Sequence, residues 1–152
     1  MARDALATIL GYLLREECAL SDTTRDYRWK ISGPNRYSLH RLFDEQRRQL
    51  DYWLDKVIDR TKSAGLAACI PWVDARRSVE NTGPVRRALP PGTIIGDLLA
   101  RHEQMAERLR ESIGHLADPG LVELLTRLVE FHETAAWMLR VVYGGAGSDP
   151  AV

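Results

Sequence analysis

The chain has 152 residues, with 21 Lys and Arg balanced by 21 Asp and Glu, so its formal net charge is zero. Its 45% hydrophobic and 28% charged positions are typical of one globular domain with a substantial core, and the balanced charge disfavours a polyelectrolyte that coats nucleic acid. Two cysteines, Cys18 and Cys69, are too few for a disulfide framework or a four-thiolate metal site. We expect both to be small core residues of a cytoplasmic protein without a membrane span.

Apolar residues recur at three-, four- and seven-residue steps and predict four helices and no strands. The helices are predicted at roughly 4–30, from about 39 to 63, from about 93 to 116 and from 119 to 143. The cluster Ser32-Gly33-Pro34-Asn35 ends the first helix, and Gly65 ends the second. Asp118 followed by Pro119 is typical of a helix start, with an N-cap carboxylate before proline at the first helical position.

The lengths of the connections predict the topology. A short first link makes the first two helices antiparallel, whereas the proline-rich stretch 65–92 is long enough to cross the whole bundle, with one short helix near 72–79. This gives an all-α, ferritin-like four-helix bundle with an up-down-down-up arrangement. We expect a domain at 1–143 and a flexible tail at 144–152.

The second predicted helix carries a row of polar side chains nearly opposite its apolar face. At ~100° per residue, the members of this acidic row share a sector of ~100°. They are His40, Asp44, Asp51, Asp55 and Asp59. An imidazole with several carboxylates suits a divalent cation such as ferrous iron, manganese or zinc. The alternative is a solvated helix face, in which Arg47 and Arg48 pair with some of the aspartates.

The other histidines show no comparable pattern. His102, together with Glu103 and Glu107, could face a pore or cavity, but we expect a solvated face. We find no carboxylate partner for His132 in the spacing. Because no Glu-x-x-His pair occurs on two helices, we expect no self-contained di-iron site inside one subunit.

Residues 26–60, DYRWKISGPNRYSLHRLFDEQRRQLDYWLDKVIDR, resemble the signature of the Dps family, the ferritin-like DNA-binding proteins from starved cells. Trp29, Gly33 and His40 match together with their spacing, and residues 121–143 resemble the last helix of the family. The resemblance implies a hollow shell of twelve subunits. It also implies ferroxidase sites at two-fold interfaces, where ferrous iron is oxidised, often by hydrogen peroxide, and the ferric product is stored inside.

Carried over position by position, the resemblance implies a set of site residues. The metal ligands are His40, Asp44, Asp55 and Asp59. Trp29 lies beside the catalytic site, although a tryptophan at a helix end is also typical of a packing anchor. Asp59 stands where the family usually has a bridging glutamate, which makes its arm shorter by one methylene.

Arg28 replaces the first histidine of the family signature. Arginine offers no lone pair and stays protonated, so the replacement removes a ligand and adds a positive charge. Arg28 could lie against Asp44 or Asp59 as a bidentate partner and substitute for the metal. It could instead turn outward and leave one iron held by the four carried-over ligands.

The sequence therefore predicts a homo-oligomeric iron-storage shell protein that oxidises ferrous iron and protects against peroxide, with a site weakened by Arg28. The alternatives are a catalytically silent paralogue that keeps the cage, and a plain helical interaction module. DNA binding through the tails is disfavoured, because the N-terminus offers only Arg3 and the C-terminal tail has no basic residue. A basic patch in the crossover is the remaining route to DNA, formed by Arg76, Arg77, Arg86 and Arg87.

Overall fold

In the computed structural model of the chain, which describes residues 2–66 and 88–146, four long helices account for nearly the whole fold. They are α1 (Ala2–Lys30), α2 (Arg36–Ser63), α3 (Pro91–Ile113) and α4 (Pro119–Ala146). Within those residues there is no strand, only an isolated bridge between Ile31 and Leu89. The all-α prediction is confirmed. Residues 144–146 of the predicted tail belong to α4. The predicted short helix near 72–79, Cys69, the crossover arginines and residues 147–152 of the tail lie outside the described residues.

The signals that end and begin helices act locally, as the sequence predicts. Gly65 adopts φ +74 just after α2, a left-handed conformation that residues with a side chain rarely adopt. Asp118 accepts the backbone N–H of Leu121 at 2.9 Å, which is the N-cap bond of α4. Asp118 also accepts hydrogen bonds at 2.9 and 2.8 Å from the Arg60 guanidinium. The hydrogen bond from Arg60, followed by that from the Leu121 backbone, holds the pKa of the Asp118 carboxyl below its usual value.

The contacts between helix ends define the topology. Leu89 donates its N–H to the carbonyl of Lys30 at 3.1 Å, so α3 begins where α1 ends. The Arg60–Asp118 pair likewise joins the end of α2 to the beginning of α4. The end of α2 and the beginning of α3 therefore lie at opposite ends of the bundle, about 42 Å apart for a 28-residue helix. This confirms the up-down-down-up arrangement.

Each helix packs against two neighbours. α1 contacts α2 and α3, α4 contacts α2 and α3, and the pairs α1/α4 and α2/α3 are diagonal. The interior is mostly leucine and isoleucine, and each such side chain contributes about 1.5–3 kcal/mol when fully buried. Cys18 is half-buried and packs against this core. Among the described residues, no helix combines the length and apolarity needed to cross a membrane.

Candidate metal site

The acidic row lies on the outer side of α2. The buried side of α2 consists of Leu39, Phe43, Gln46, Leu50, Leu54, Val57 and Thr61. His40 and Asp44 are half-buried near the beginning of the helix, whereas Asp55 and Asp59 are exposed near its end. The helical periodicity therefore places the row where predicted, away from the core of its own subunit.

The row is too long to surround one ion within a single subunit. Asp55 and Asp59 follow His40 and Asp44 by 15 residues each, which corresponds to about 22 Å along the helix axis. In agreement with this distance, the described part of the chain contains no group of three or more His, Cys, Asp or Glu side chains that could hold a metal ion. Any site built from all four carried-over ligands needs a second subunit.

Arg28 lies against one of these ligands. Its Nη2 atom is 3.3 Å from Oδ2 of Asp44, and the two side chains are 34% and 28% exposed. The contact involves one nitrogen and one oxygen, so it is not the bidentate pair that the sequence analysis considered. Arg28 Nε is buried and has no partner among the described residues. Of the two partners considered for Arg28, the structure thus shows Asp44, which the resemblance names as a metal ligand.

Asp51, in the middle of the row, serves the fold of its own subunit. It accepts the hydroxyl of Ser21 from α1 at 2.6 Å and lies 4.0 Å from Arg47. Nearby on α1, burial raises the pKa of Asp22 and outweighs the opposing charge of Arg25. Asp51 therefore belongs to the row by spacing but links α2 to α1.

Exposed aromatic side chains accompany this surface. Trp29 is 72% exposed, Tyr37 is 76% exposed and Tyr52 is 55% exposed. The Arg28 guanidinium carbon lies 5.2 Å from the centre of the Trp29 ring, which is within cation–π range. Trp29 is therefore not a packing anchor within its own subunit. Large apolar groups exposed beside an acidic row are typical of an interaction surface.

A second histidine–carboxylate cluster occurs inside the bundle, and the sequence analysis missed it. His132 Nε2 lies 2.7 Å from Oε1 of Glu17, and His132 Nδ1 lies 2.9 Å from Nδ1 of His102. Glu17 and His102 are 1% exposed and His132 is fully buried. Burial, reinforced by repulsion from His132, lowers the pKa of His102 to about 3. We call these three residues the buried triad.

The expectation that His102 lies on a solvated face is wrong. His102 follows Leu98 by four residues and precedes Met105 by three, so it shares the apolar face of α3. Plotting α3 at ~100° per residue, as for the acidic row, would have indicated that His102 is buried. Glu103 does face solvent, where it pairs with Arg140.

Comparison with known proteins agrees with this architecture. The family model of the ferritin-like domain matches residues 7–144, and the chain therefore belongs to the ferritin-like family. It is 28% identical over 155 residues to an uncharacterized low temperature-induced protein of Nostoc sp., covering 97% of this chain and 85% of the relative.

The chain is also 26% identical over 142 residues to DNA protection during starvation protein 2 of Deinococcus radiodurans, covering 90% of this chain and 58% of that protein. Its fold matches Dps from Microbacterium arborescens in the high iron form, with a TM-score of 0.78 at 17% identity over 94% of this chain and 95% of that one. The resemblance to Dps proteins that the sequence indicates is thereby confirmed.

Proposed function

We propose that this chain is the subunit of a closed, cytoplasmic homo-oligomeric shell, in the simplest case a dodecamer, that oxidises and stores iron and so limits peroxide damage. In this proposal the ferroxidase site lies between subunits and is weakened by Arg28. Membership in the ferritin-like family supports iron storage and a ferroxidase type of activity in general terms. The observation that carries the weakening is the contact of Arg28 with Asp44 at 3.3 Å.

The symmetry of the acidic row supports a site shared by two subunits. The midpoint of His40 and Asp44 is residue 42, and that of Asp55 and Asp59 is residue 57. Halfway between them, at 49.5, lies the centre of α2 (Arg36–Ser63). A two-fold axis at mid-helix would place the first pair of one subunit beside the second pair of its partner, twice per dimer.

The chemistry uses iron as the substrate. Two ferrous ions are oxidised to two ferric ions while one hydrogen peroxide and two protons become two waters. The imidazole of His40 and the three carboxylates suit ferrous iron and stabilise the added charge of the ferric state. Trp29, exposed beside Arg28, would be covered in such an interface and could pass an electron to a radical formed there.

Arg28 opposes this chemistry electrostatically. Two unit charges ~4 Å apart interact by about 4 kcal/mol at an effective dielectric of ~20, and a divalent ion would be repelled more strongly. The guanidinium also competes directly for Asp44. We therefore expect iron to bind more weakly than at a site with histidine in this position.

The second candidate is a silent cage protein, which keeps the shell and lacks iron oxidation. It is favoured by the same contact, because Asp44 already has a cationic partner within its own subunit. DNA binding is not part of either proposal, and the crossover arginines that are the remaining route to DNA lie outside the described residues.

Two measurements test the proposal. Size-exclusion chromatography with light scattering should give roughly twelve times the chain mass of 17.2 kDa, whereas a monomer would favour an interaction module. Ferrous iron added with peroxide should then be oxidised slowly by the wild type and not above background by His40→Ala. His115→Ala is the matched control, because His115 is exposed and remote from the row in sequence. An intact shell without iron oxidation would support the silent cage.

A further inference from the structure

The buried triad crosses the centre of the bundle. Glu17 belongs to α1 and His132 to α4, which are diagonal helices, so their 2.7 Å contact passes through the middle of the core. His102 adds the link to α3 at 2.9 Å. Gln46 from α2 lies alongside and donates to the carbonyl of Ala135 at 3.5 Å, one turn beyond His132 on α4. Three helices are therefore joined by one polar chain.

The titratable groups in this interior are those of the triad. Glu17, His102 and His132 are the only ionisable side chains among the buried residues of the described ranges. The side of α2 that faces the interior contributes Gln46 and Thr61, which do not titrate. Charged sequence neighbours of the triad are held in surface ion pairs: Glu16–Arg108, Arg101–Asp97, Glu103–Arg140 and Glu133–Arg110.

Hydrogen-bond geometry fixes the number of protons between the rings. Two Nδ1 atoms 2.9 Å apart need one proton between them, since two lone pairs or two N–H groups would repel. In one arrangement His132 donates this proton to His102, and a second proton in the Glu17–His132 contact, held by either atom, leaves the triad without net charge. In the other, His102 donates to His132, whose Nε2 donates to Glu17, and the charge of the Glu17 carboxylate is uncompensated. An uncompensated buried charge is strongly disfavoured, so the neutral arrangement prevails.

We propose that the buried triad is a pH-sensitive lock, in which one proton in each of its two contacts holds α1, α3 and α4 together and a further proton opens the bundle. A further proton gives the core a net positive charge wherever it binds. On His102 it also removes the acceptor that faces His132. This lock goes beyond the iron chemistry and does not depend on it.

The contribution of His102 to the pH dependence has a definite sign. Its pKa is about 3 in the folded chain, where burial and His132 both disfavour its charged form, against an ordinary value of 6.5. Between these values unfolding takes up a proton, so the stability from neutral His102 is complete above pH 6.5 and is lost as the pH falls.

A metal ion is a poorer explanation for the same geometry. Only the two facing Nδ1 atoms could share an ion, because Glu17 contacts the far nitrogen of His132. The described residues contain no group of three such ligands. The triad is therefore assigned to proton binding.

Urea unfolding of the full chain between pH 7.5 and 5.0, at one protein concentration, tests the lock. The comparison is with His102→Asn, whose amide oxygen can replace Nδ1 as the acceptor but cannot be protonated. Over this range the unfolding constant of the wild type should rise about 30-fold more than that of His102→Asn. His115→Asn, at an exposed histidine, should keep the full wild-type response. Equal pH responses of the wild type and His102→Asn would overturn the proposal.

A second measurement keeps the test open if His102→Asn does not fold. Solid-state ¹⁵N NMR of histidine-labelled wild type at pH 7 should show a hydrogen bond between the two Nδ1 atoms, with the His102 ring protonated only on Nε2. A His102 ring protonated on Nδ1 would contradict the lock, and so would a Co²⁺ titration in which both rings become ligands.

Discussion

The acidic row and the buried triad combine the same kinds of side chain in opposite surroundings. Asp55 and Asp59 of the row are exposed, and Asp44 is shared with a guanidinium that is itself one-third exposed. In the triad, Glu17 and His132 are sealed from water and depend on one another. Histidine and carboxylate thus form the proposed iron surface in one region and a structural link in the other. Solvent access, together with the nearest cation, accounts for the difference.

The largest effect should come from breaking the link in the core. We expect Glu17→Ala to lower the free energy of unfolding by about 3–5 kcal/mol, because it leaves the partner of a buried pair without compensation. Glu16→Ala is a matched control one residue away. Glu16 pairs with Arg108 at 3.3 Å, with both side chains about 40% exposed, and should contribute at most about 1 kcal/mol. If urea unfolding gave similar losses of stability for both variants, the buried triad would be no more important to the fold than a surface ion pair.

A smaller loss of stability should follow from removing Arg28, the cation that contacts Asp44 of the acidic row. Arg28→Ala should change the free energy of unfolding by no more than about 1 kcal/mol, because water screens a partly exposed pair. Urea unfolding in low and high salt measures this, and the difference from wild type should shrink as salt increases. A loss as large as that of Glu17→Ala would show that Arg28 supports the core.

The smallest effect should come from the Asp118 cap at the end of the bundle. Asp118→Asn keeps a capping acceptor for Leu121 but loses the charge that pairs with Arg60. Because the pKa of Asp118 is lowered from 3.8, its ionic contribution is present above that value and is lost as the pH falls through the folded pKa. Thermal unfolding should therefore show a slightly lower Tm than wild type at pH 7 and no difference in strong acid. A difference that persists in acid would assign the effect to the cap instead.

The sequence predicts features that depend on neighbouring residues. The end of α2 follows from Gly65, and the beginning of α4 follows from Asp118 with Pro119. The outer position of the acidic row follows from periodicity alone. The sequence leaves Arg28 either against Asp44 or Asp59 or turned outward, because its orientation depends on how α1 packs against α2.

The buried triad shows a different limit. Its contacts join residues 115 and 30 positions apart, and no local spacing reports such pairs. The burial of His102 was nevertheless readable from its register with Leu98 and Met105 on the apolar face of α3. A polar residue on the apolar face of one helix should therefore be compared with polar residues on the apolar faces of the other helices before it is assigned to the solvated surface.

The claim that Arg28 weakens the iron site is tested most directly by the rate at which peroxide oxidises ferrous iron in Arg28→His, compared with wild type. Restoring a ligand and removing a charge should make oxidation at least about tenfold faster. Arg25→His, one turn earlier on α1, where Arg25 pairs with Asp22 at 3.3 Å, should leave the wild-type rate unchanged. Rapid, stoichiometric oxidation by the wild type, with no gain in Arg28→His, would contradict the claim that the guanidinium weakens the site.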